Sequence, residues 1–177
     1  MFTNPQKNVE RFEIMPGYKV ADLGSGAGFY VLSAARLVGD SGRVYAVDIQ
    51  KELLSKTKTD ATSKHLTNVE VIWGDVEKIG GTRLADSSID TVIASNILFQ
   101  LEDKDSFIKE VNRILKPKKG KAYIIDWADS FGGLGPENSA VVSLASSKEM
   151  FLKNGFEVYK ELKDVGDHHY GISFKKI

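Results

Sequence analysis

The segment Asp22-Leu23-Gly24-Ser25-Gly26-Ala27-Gly28 joins a carboxylate to three glycines at alternate positions. Glycines let a backbone turn tightly and approach a ligand closely. Dinucleotide-binding loops space them as G-x-G-x-x-G. Here the spacing is G-x-G-x-G, and Asp22 stands where such loops carry an apolar strand residue. An acid at that point repels a pyrophosphate. It favours a ligand with a cationic group, such as an amino acid's ammonium. The alternative is a tight strand-to-helix turn with no ligand.

Two further acids follow at comparable places. Asp48 closes the run Val44-Tyr45-Ala46-Val47-Asp48, 20 residues beyond Gly28. A carboxylate at the end of a second strand can accept hydrogen bonds from both ribose hydroxyls. Asp48 could equally cap the helix that begins just after it. Asp75, in Trp73-Gly74-Asp75-Val76, could accept from an adenine amino group, with the Val76 N–H serving a ring nitrogen. Alone, Asp75 reads as a turn residue.

Positioning three acids at strand ends requires alternating strands and helices. Lys19 to Leu23, Arg43 to Val47, Val69 to Trp73, Ile89 to Ala94 and Ala122 to Asp126 read as strands. Val31, Ala34, Ala35 and Val38 share one helical face, as do Phe107, Val111, Ile114 and Leu115. A polar helix fits Lys51 to Ser63, and Ser146 with Glu149 makes a capping box for a short helix ending near Gly155. Two alternating segments close the chain, Phe156 to Leu162 and Tyr170 to Phe174. The short Lys163 to His169 connection cannot make a parallel crossover, so this pair is expected to be antiparallel. The pattern predicts a doubly wound α/β domain spanning 1–177: a mostly parallel sheet between helices, with an antiparallel C-terminal hairpin. In such sheets ligands bind beyond the carboxyl ends of the strands. The glycine-rich stretch Ala128 to Ala140 has neither period and reads as a loop on that side.

Composition excludes several chemistries. There is no cysteine, hence no disulfide, zinc thiolate or cysteine nucleophile. This fits a cytoplasmic location. Lys+Arg and Asp+Glu both number 24, so the basic excess usual for a nucleic-acid binder is missing. Lys116, Lys118, Lys119 and Lys121 read as a solvated loop. No apolar run approaches a membrane span, and Met1 to Arg11 lacks the apolar stretch of a signal peptide.

With these residues in place, the chain resembles the class I S-adenosylmethionine-dependent methyltransferases over nearly its whole length. The first family motif matches Val20 to Tyr30. Asp48 matches the second position, Gly74-Asp75-Val76 the third, and Ser95-Asn96-Ile97-Leu98-Phe99 the fourth. Ile125-Asp126-Trp127 and His169-Tyr170-Gly171 resemble runs in the small branch related to the quinone-biosynthesis enzymes. The resemblance implies a seven-stranded sheet and S-adenosylmethionine as cofactor. It implies that Asp22, Gly24, Ser25, Gly26, Gly28 and Phe29 hold the methionine part. Asp48 would hold the ribose, Ile49 would lie against the adenine, and Asp75 and Val76 would read the adenine edge. Asn96 would lie under the methionine part or face the methyl acceptor.

A sulfonium methyl is already activated, so transfer needs an in-line acceptor more than a catalytic dyad. The candidate bases are Tyr30, Asp126, His168 and His169. The two adjacent histidines lack a third ligand, and no metal site is expected. The fourth position lacks the run usual where base amines are methylated, which favours a small-molecule or lipid-like acceptor. Its pocket would come from the N-terminal segment, the loop after Asp126, or a second subunit in a homodimer. Two other classes fit less of the sequence: a non-catalytic module binding S-adenosylmethionine or S-adenosylhomocysteine, and a nicotinamide-binding oxidoreductase.

Overall fold

A computed structural model describes residues 3–177. Its sheet has seven strands in the order β3-β2-β1-β4-β5-β7-β6. The strands are β1 (Lys19–Leu23), β2 (Arg43–Asp48), β3 (Val69–Trp73), β4 (Thr91–Ser95), β5 (Lys121–Trp127), β6 (Phe156–Leu162) and β7 (His169–Lys176). The first five run parallel; β7 pairs antiparallel with both β5 and β6. This is the predicted architecture, hairpin included. The order reverses between β1 and β4, so the loops leaving those strands diverge and open a crevice at their carboxyl ends.

Alternation along the strands builds a core on each face. Ala21 and Leu23 of β1, with Ala122 and Ile124 of β5, pack on one side. Val20 of β1, with Tyr123 and Ile125 of β5, packs on the other. On the first face lie α4 (Lys104–Ile114) and α5 (Leu144–Lys153). Phe107, Ile108, Val111 and Ile114 are fully buried there, each burial stabilising by roughly 1.5–3 kcal/mol. On the second face lie α2 (Phe29–Val38) and α3 (Lys51–Ser63). The predicted stripe of α2 is buried as expected: Val31, Ala34, Ala35 and Val38.

Several boundaries differ from the sequence reading. A short helix, α1 (Pro5–Val9), precedes β1, held by Asn4 as N-cap. Its Asn8 is buried and donates to Tyr30 Oη (3.0 Å) and to the Val165 carbonyl (2.9 Å). Strand β4 begins at Thr91, while Ile89 forms an isolated bridge to Leu115. Ser143, not Ser146, caps α5, because its side chain accepts from the Ser146 amide. Ala128 to Ala140 is a loop, as read. Among the described residues no helix is long and apolar enough to cross a membrane.

Candidate active site

Three strand ends deliver the three acids to one crevice. Asp22, on β1, is buried, and its Oδ2 has no hydrogen-bond partner. Burial first, and the Asp48 charge second, push its carboxyl up to about 8. Asp48 ends β2, and its two oxygens do different work. Oδ2 accepts the Gly26 amide at 2.8 Å, and Oδ1 accepts the Gln50 amide at 2.8 Å. The N-cap of α3 is Gln50, so Asp48 is not the helix cap but the tie between glycine loop and helix start. Asp75, beyond β3, accepts the Glu77 amide at 3.0 Å and faces Lys78 at 2.9 Å. The Lys78 ammonium holds its carboxyl below the ordinary range.

Two cavities meet at the glycine loop, sharing Gly24, Gly26 and Gln100. The first, about 240 Å³, is bounded by Asp48, Ile49, Asp75, Val76, Ile97 and Leu101. The second, about 290 Å³, is bounded by Asp22, Ser25, Phe29, Tyr30 and Asn96, with Thr3 and Pro5 closing it from the N-terminal side. Every cofactor residue expected from the sequence except Gly28 therefore borders one of these spaces. Gly28 instead is the N-cap of α2 with φ 77°, and a Cβ there would meet Thr57 Oγ1 at 2.5 Å.

The glycines divide their roles. Gly24 has φ 73°, and a Cβ would stand 2.2 Å from Ile97 Cδ1. Gly26 has φ 50°, and a Cβ there would meet nothing within 4 Å; it would project into the open crevice. Gly24 is thus fixed by the protein, whereas a side chain at Gly26 would meet only open space. Asp22, Ser25 and Asn96, which border the second cavity, each hold a buried unpartnered oxygen: Oδ2, Oγ and Oδ1 respectively. Buried polar atoms are normally paired. A donor-rich cation entering this space would satisfy them.

The sequence family described as a methyltransferase domain matches residues 14–163. The chain belongs to the class I S-adenosylmethionine-dependent methyltransferases. An arsenite methyltransferase of Halobacterium salinarum is 36% identical over 111 residues, 62% of this chain and 28% of that protein. The ubiquinone/menaquinone biosynthesis C-methyltransferase UbiE of a Shewanella species is 31% identical over 114 residues, 64% of this chain and 44% of that protein. The chain thus spans less than half the length of these curated relatives. A crystal structure of a SAM-dependent methyltransferase from Aquifex aeolicus superposes with TM-score 0.88 at 28% identity, covering 99% of this chain and 91% of that one.

The crevice fits S-adenosylmethionine chemically. A methionine ammonium offers three donors to the unpartnered acceptors around Asp22. The first-turn amides of α2 suit its carboxylate.

The candidate bases do not gather at this crevice. Asp126 is buried, and Oδ2 accepts the Ile97 (3.1 Å) and Leu98 (2.8 Å) amides while Oδ1 accepts that of Trp127 (2.8 Å). Burial pushes its carboxyl up to about 6 against those bonds. Its geometry is that of a brace for the turn Leu98–Gln100. His168 Nδ1 lies 2.8 Å from Asp129 Oδ1, and its ring stacks on Phe131. His169 Nδ1 lies 2.7 Å from the Asp167 carbonyl, with its ring against Trp127; burial lowers its pKa. Neither histidine borders either cavity. Tyr30 does, but burial raises its phenol above the ordinary value and keeps it protonated.

One positioning residue escaped the sequence reading. Glu110 of α4 is fully buried and accepts the Gly80 amide (2.7 Å), the Thr82 amide (3.2 Å) and the Thr82 hydroxyl (2.6 Å). Arg113 clamps it with two bonds of 2.8 Å. It anchors the loop that carries Asp75 and Val76. Burial opposes its ionisation, but these bonds together hold its pKa down to about 2. Its position on the apolar stripe between Phe107 and Ile114 was the available signal.

Proposed function

We propose that this protein transfers a methyl group from S-adenosylmethionine to a small-molecule acceptor, lipid-like molecules included, by direct displacement. The observation that carries the reading is the set of unpartnered buried acceptors beside Gly26, the glycine that leaves room for a ligand.

Bound S-adenosylmethionine would supply a methyl group already activated on a sulfonium. The chain's own residues supply grip and orientation. Asp22 and Ser25 receive the methionine ammonium. The start of α2 receives its carboxylate. Asp48, each of whose oxygens keeps an acceptor position beyond its amide bond, receives the ribose hydroxyls. Ile49, Asp75 and Val76 enclose the adenine. Holding the acceptor in line can contribute up to about 7–11 kcal/mol, so binding alone accounts for much of the rate.

The relatives are named for methylation of arsenite and for C-methylation in ubiquinone/menaquinone biosynthesis, which supports a small-molecule acceptor. Arsenite suits this chain poorly, because a soft centre seeks thiolates and there is no cysteine.

The test has two parts. S-adenosylhomocysteine should raise the melting temperature, adding about 2.7 kcal/mol at 100 times its dissociation constant. NADH at the same level should not. Labelled S-adenosylmethionine with a metabolite extract should then yield a labelled product. Absence of any shift with the homocysteine ligand at millimolar concentration would end the proposal.

A further inference from the structure

Helix α3 packs against the glycine loop, and its buried stripe is not wholly apolar. The buried residues of α3 are Leu54, Thr57 and Ala61, and Thr57 is fully buried. We propose that Thr57 is a positioning residue for the cofactor, acting through the Gly26 carbonyl. This rests on the methyltransferase reading above and adds a residue to the same site.

Three observations converge. First, the Thr57 hydroxyl departs from its neighbours. Thr59 and Thr62 donate to the carbonyls four residues back, at 3.0 and 2.9 Å. That is the usual local bond of a threonine inside a helix. Thr57 instead donates to the Gly26 carbonyl, 31 residues away in sequence, at 3.5 Å. The bond is long, so it sets a direction more than it adds stability.

Second, the same side chain lies against the loop two residues further on. A Cβ on Gly28 would stand 2.5 Å from Thr57 Oγ1, 2.6 Å from its Cγ2 and 3.0 Å from its Cβ. Thr57 therefore meets the loop at both Gly26 and Gly28 and stops it from shifting toward α3.

Third, Gly26 is held at both of its own backbone groups. Its N–H donates to Asp48 Oδ2 at 2.8 Å, and its carbonyl accepts from Thr57. A glycine without such ties samples many conformations. A trans peptide carries its carbonyl and the following N–H on opposite sides. Drawing the Gly26 carbonyl toward α3 thus turns the Ala27 N–H away from that helix. Ala27 borders the second cavity, and its N–H has no partner among the described residues. Asp48 and Thr57 together set the orientation of the loop amides before a ligand arrives. Such preorganisation lowers the cost of binding.

The experiment uses the full chain with Thr57→Val and Thr57→Ser. Valine keeps the shape and removes the hydroxyl. Serine keeps the hydroxyl and removes the methyl group. Three quantities are measured: the melting temperature, the S-adenosylhomocysteine dissociation constant, and hydrogen exchange of the Gly26 and Ala27 amides in ligand-free protein. Thr57→Val should melt close to the parent, yet bind about fivefold more weakly, the scale of one neutral hydrogen bond. Its Gly26 amide should exchange faster. Thr57→Ser should bind like the parent, yet melt lower for its lost buried methyl group. The two variants thus rank oppositely in stability and in affinity, which a residue that only fills space would not produce. The role is overturned if Thr57→Val binds as tightly as the parent or leaves Gly26 exchange unchanged. It is equally overturned if Thr57→Ser loses affinity, or if affinity follows melting temperature through both variants. A parent protein that binds no S-adenosylhomocysteine is a separate failure: it ends the methyltransferase reading, and the Thr57 role with it.

Discussion

Asp48 Oδ2 accepts the Gly26 amide at 2.8 Å, so the end of β2 grips the loop that leaves β1. The same carboxylate accepts the Gln50 amide through its other oxygen. The side chain thus shapes the glycine loop and, in the proposed cofactor site, also offers its remaining acceptor positions to a ribose.

This sharing changes what substitutions at Asp48 should do. Asp48→Ala should weaken S-adenosylmethionine binding by about 2–4 kcal/mol, roughly 30- to 1000-fold. Asp48→Asn has one acceptor oxygen for two amides, so its NH2 group faces an N–H. It should lower the melting temperature and weaken binding at least about tenfold, or ~1.4 kcal/mol. Calorimetric titration beside thermal unfolding checks both. An Asp48→Asn protein that binds as tightly as the parent would remove Asp48 from the ribose contact.

Asp22 should couple ligand binding to protons. Its carboxyl lies near 8 in the ligand-free fold, against 3.8 as the ordinary value. A folded pKa above the unfolded one gives stability that is complete below about pH 4 and is lost as pH rises toward 8. Ligand-free protein should therefore lose stability across that window, and Asp22→Asn should flatten the loss. Binding a cationic ammonium ionises Asp22, so about one proton should be released near pH 7. Titrations in buffers of different ionisation enthalpy measure that proton. Equal proton release by Asp22→Asn would contradict the assignment.

Gly24 and Gly26 should fail in different ways. Gly24→Ala drives a methyl into Ile97 at a left-handed φ, so the fold itself should suffer. Trimming the neighbour in Gly24→Ala/Ile97→Ala should recover part of the loss, a coupling that a double-mutant cycle reads directly. Gly26→Ala meets no protein atom within 4 Å. It should cost only the left-handed backbone penalty of about 1–2 kcal/mol, yet abolish S-adenosylhomocysteine binding. Wild-type affinity in Gly26→Ala would show that the ligand lies elsewhere.

Glu110→Ala leaves Arg113, Thr82 and two loop amides without their acceptor. Breaking a buried pair of this kind costs about 3–5 kcal/mol. Because its folded pKa is depressed to about 2 from 4.5, the Glu110 contribution is complete above about pH 4.5 and fades as pH falls toward 2. Urea unfolding at pH 7 and at pH 3 should show the difference between parent and variant shrinking. S-adenosylhomocysteine affinity should also drop at pH 7, since the Asp75 loop loses its anchor.

The mostly parallel sheet and the crevice were legible because a glycine loop and two later acids stand at three successive strand ends. The closing hairpin was legible from one short connection. What escaped depends on contacts between distant residues. Five residues of α1 carry too little periodicity to be read, and they are helical because Asn8 reaches Tyr30 and Val165. The three amides that fold back onto Asp126 could not be read from residue type. Among the sources expected for the acceptor pocket, the glycine-rich loop packs over Trp127, where a Cβ on Gly135 would stand 2.8 Å from the ring. The N-terminal segment borders the second cavity instead.

That last placement has a practical side. Thr3 and Pro5 form part of the rim of the second cavity, so a tag fused at the N-terminus would be attached within a few residues of that rim. Strand β7 runs antiparallel to β5, which carries Ile177, 69% exposed, to the opposite edge of the sheet. Purification tags and fusion partners therefore belong at the C-terminus, and assays on N-terminally tagged protein should be repeated after the tag is cleaved.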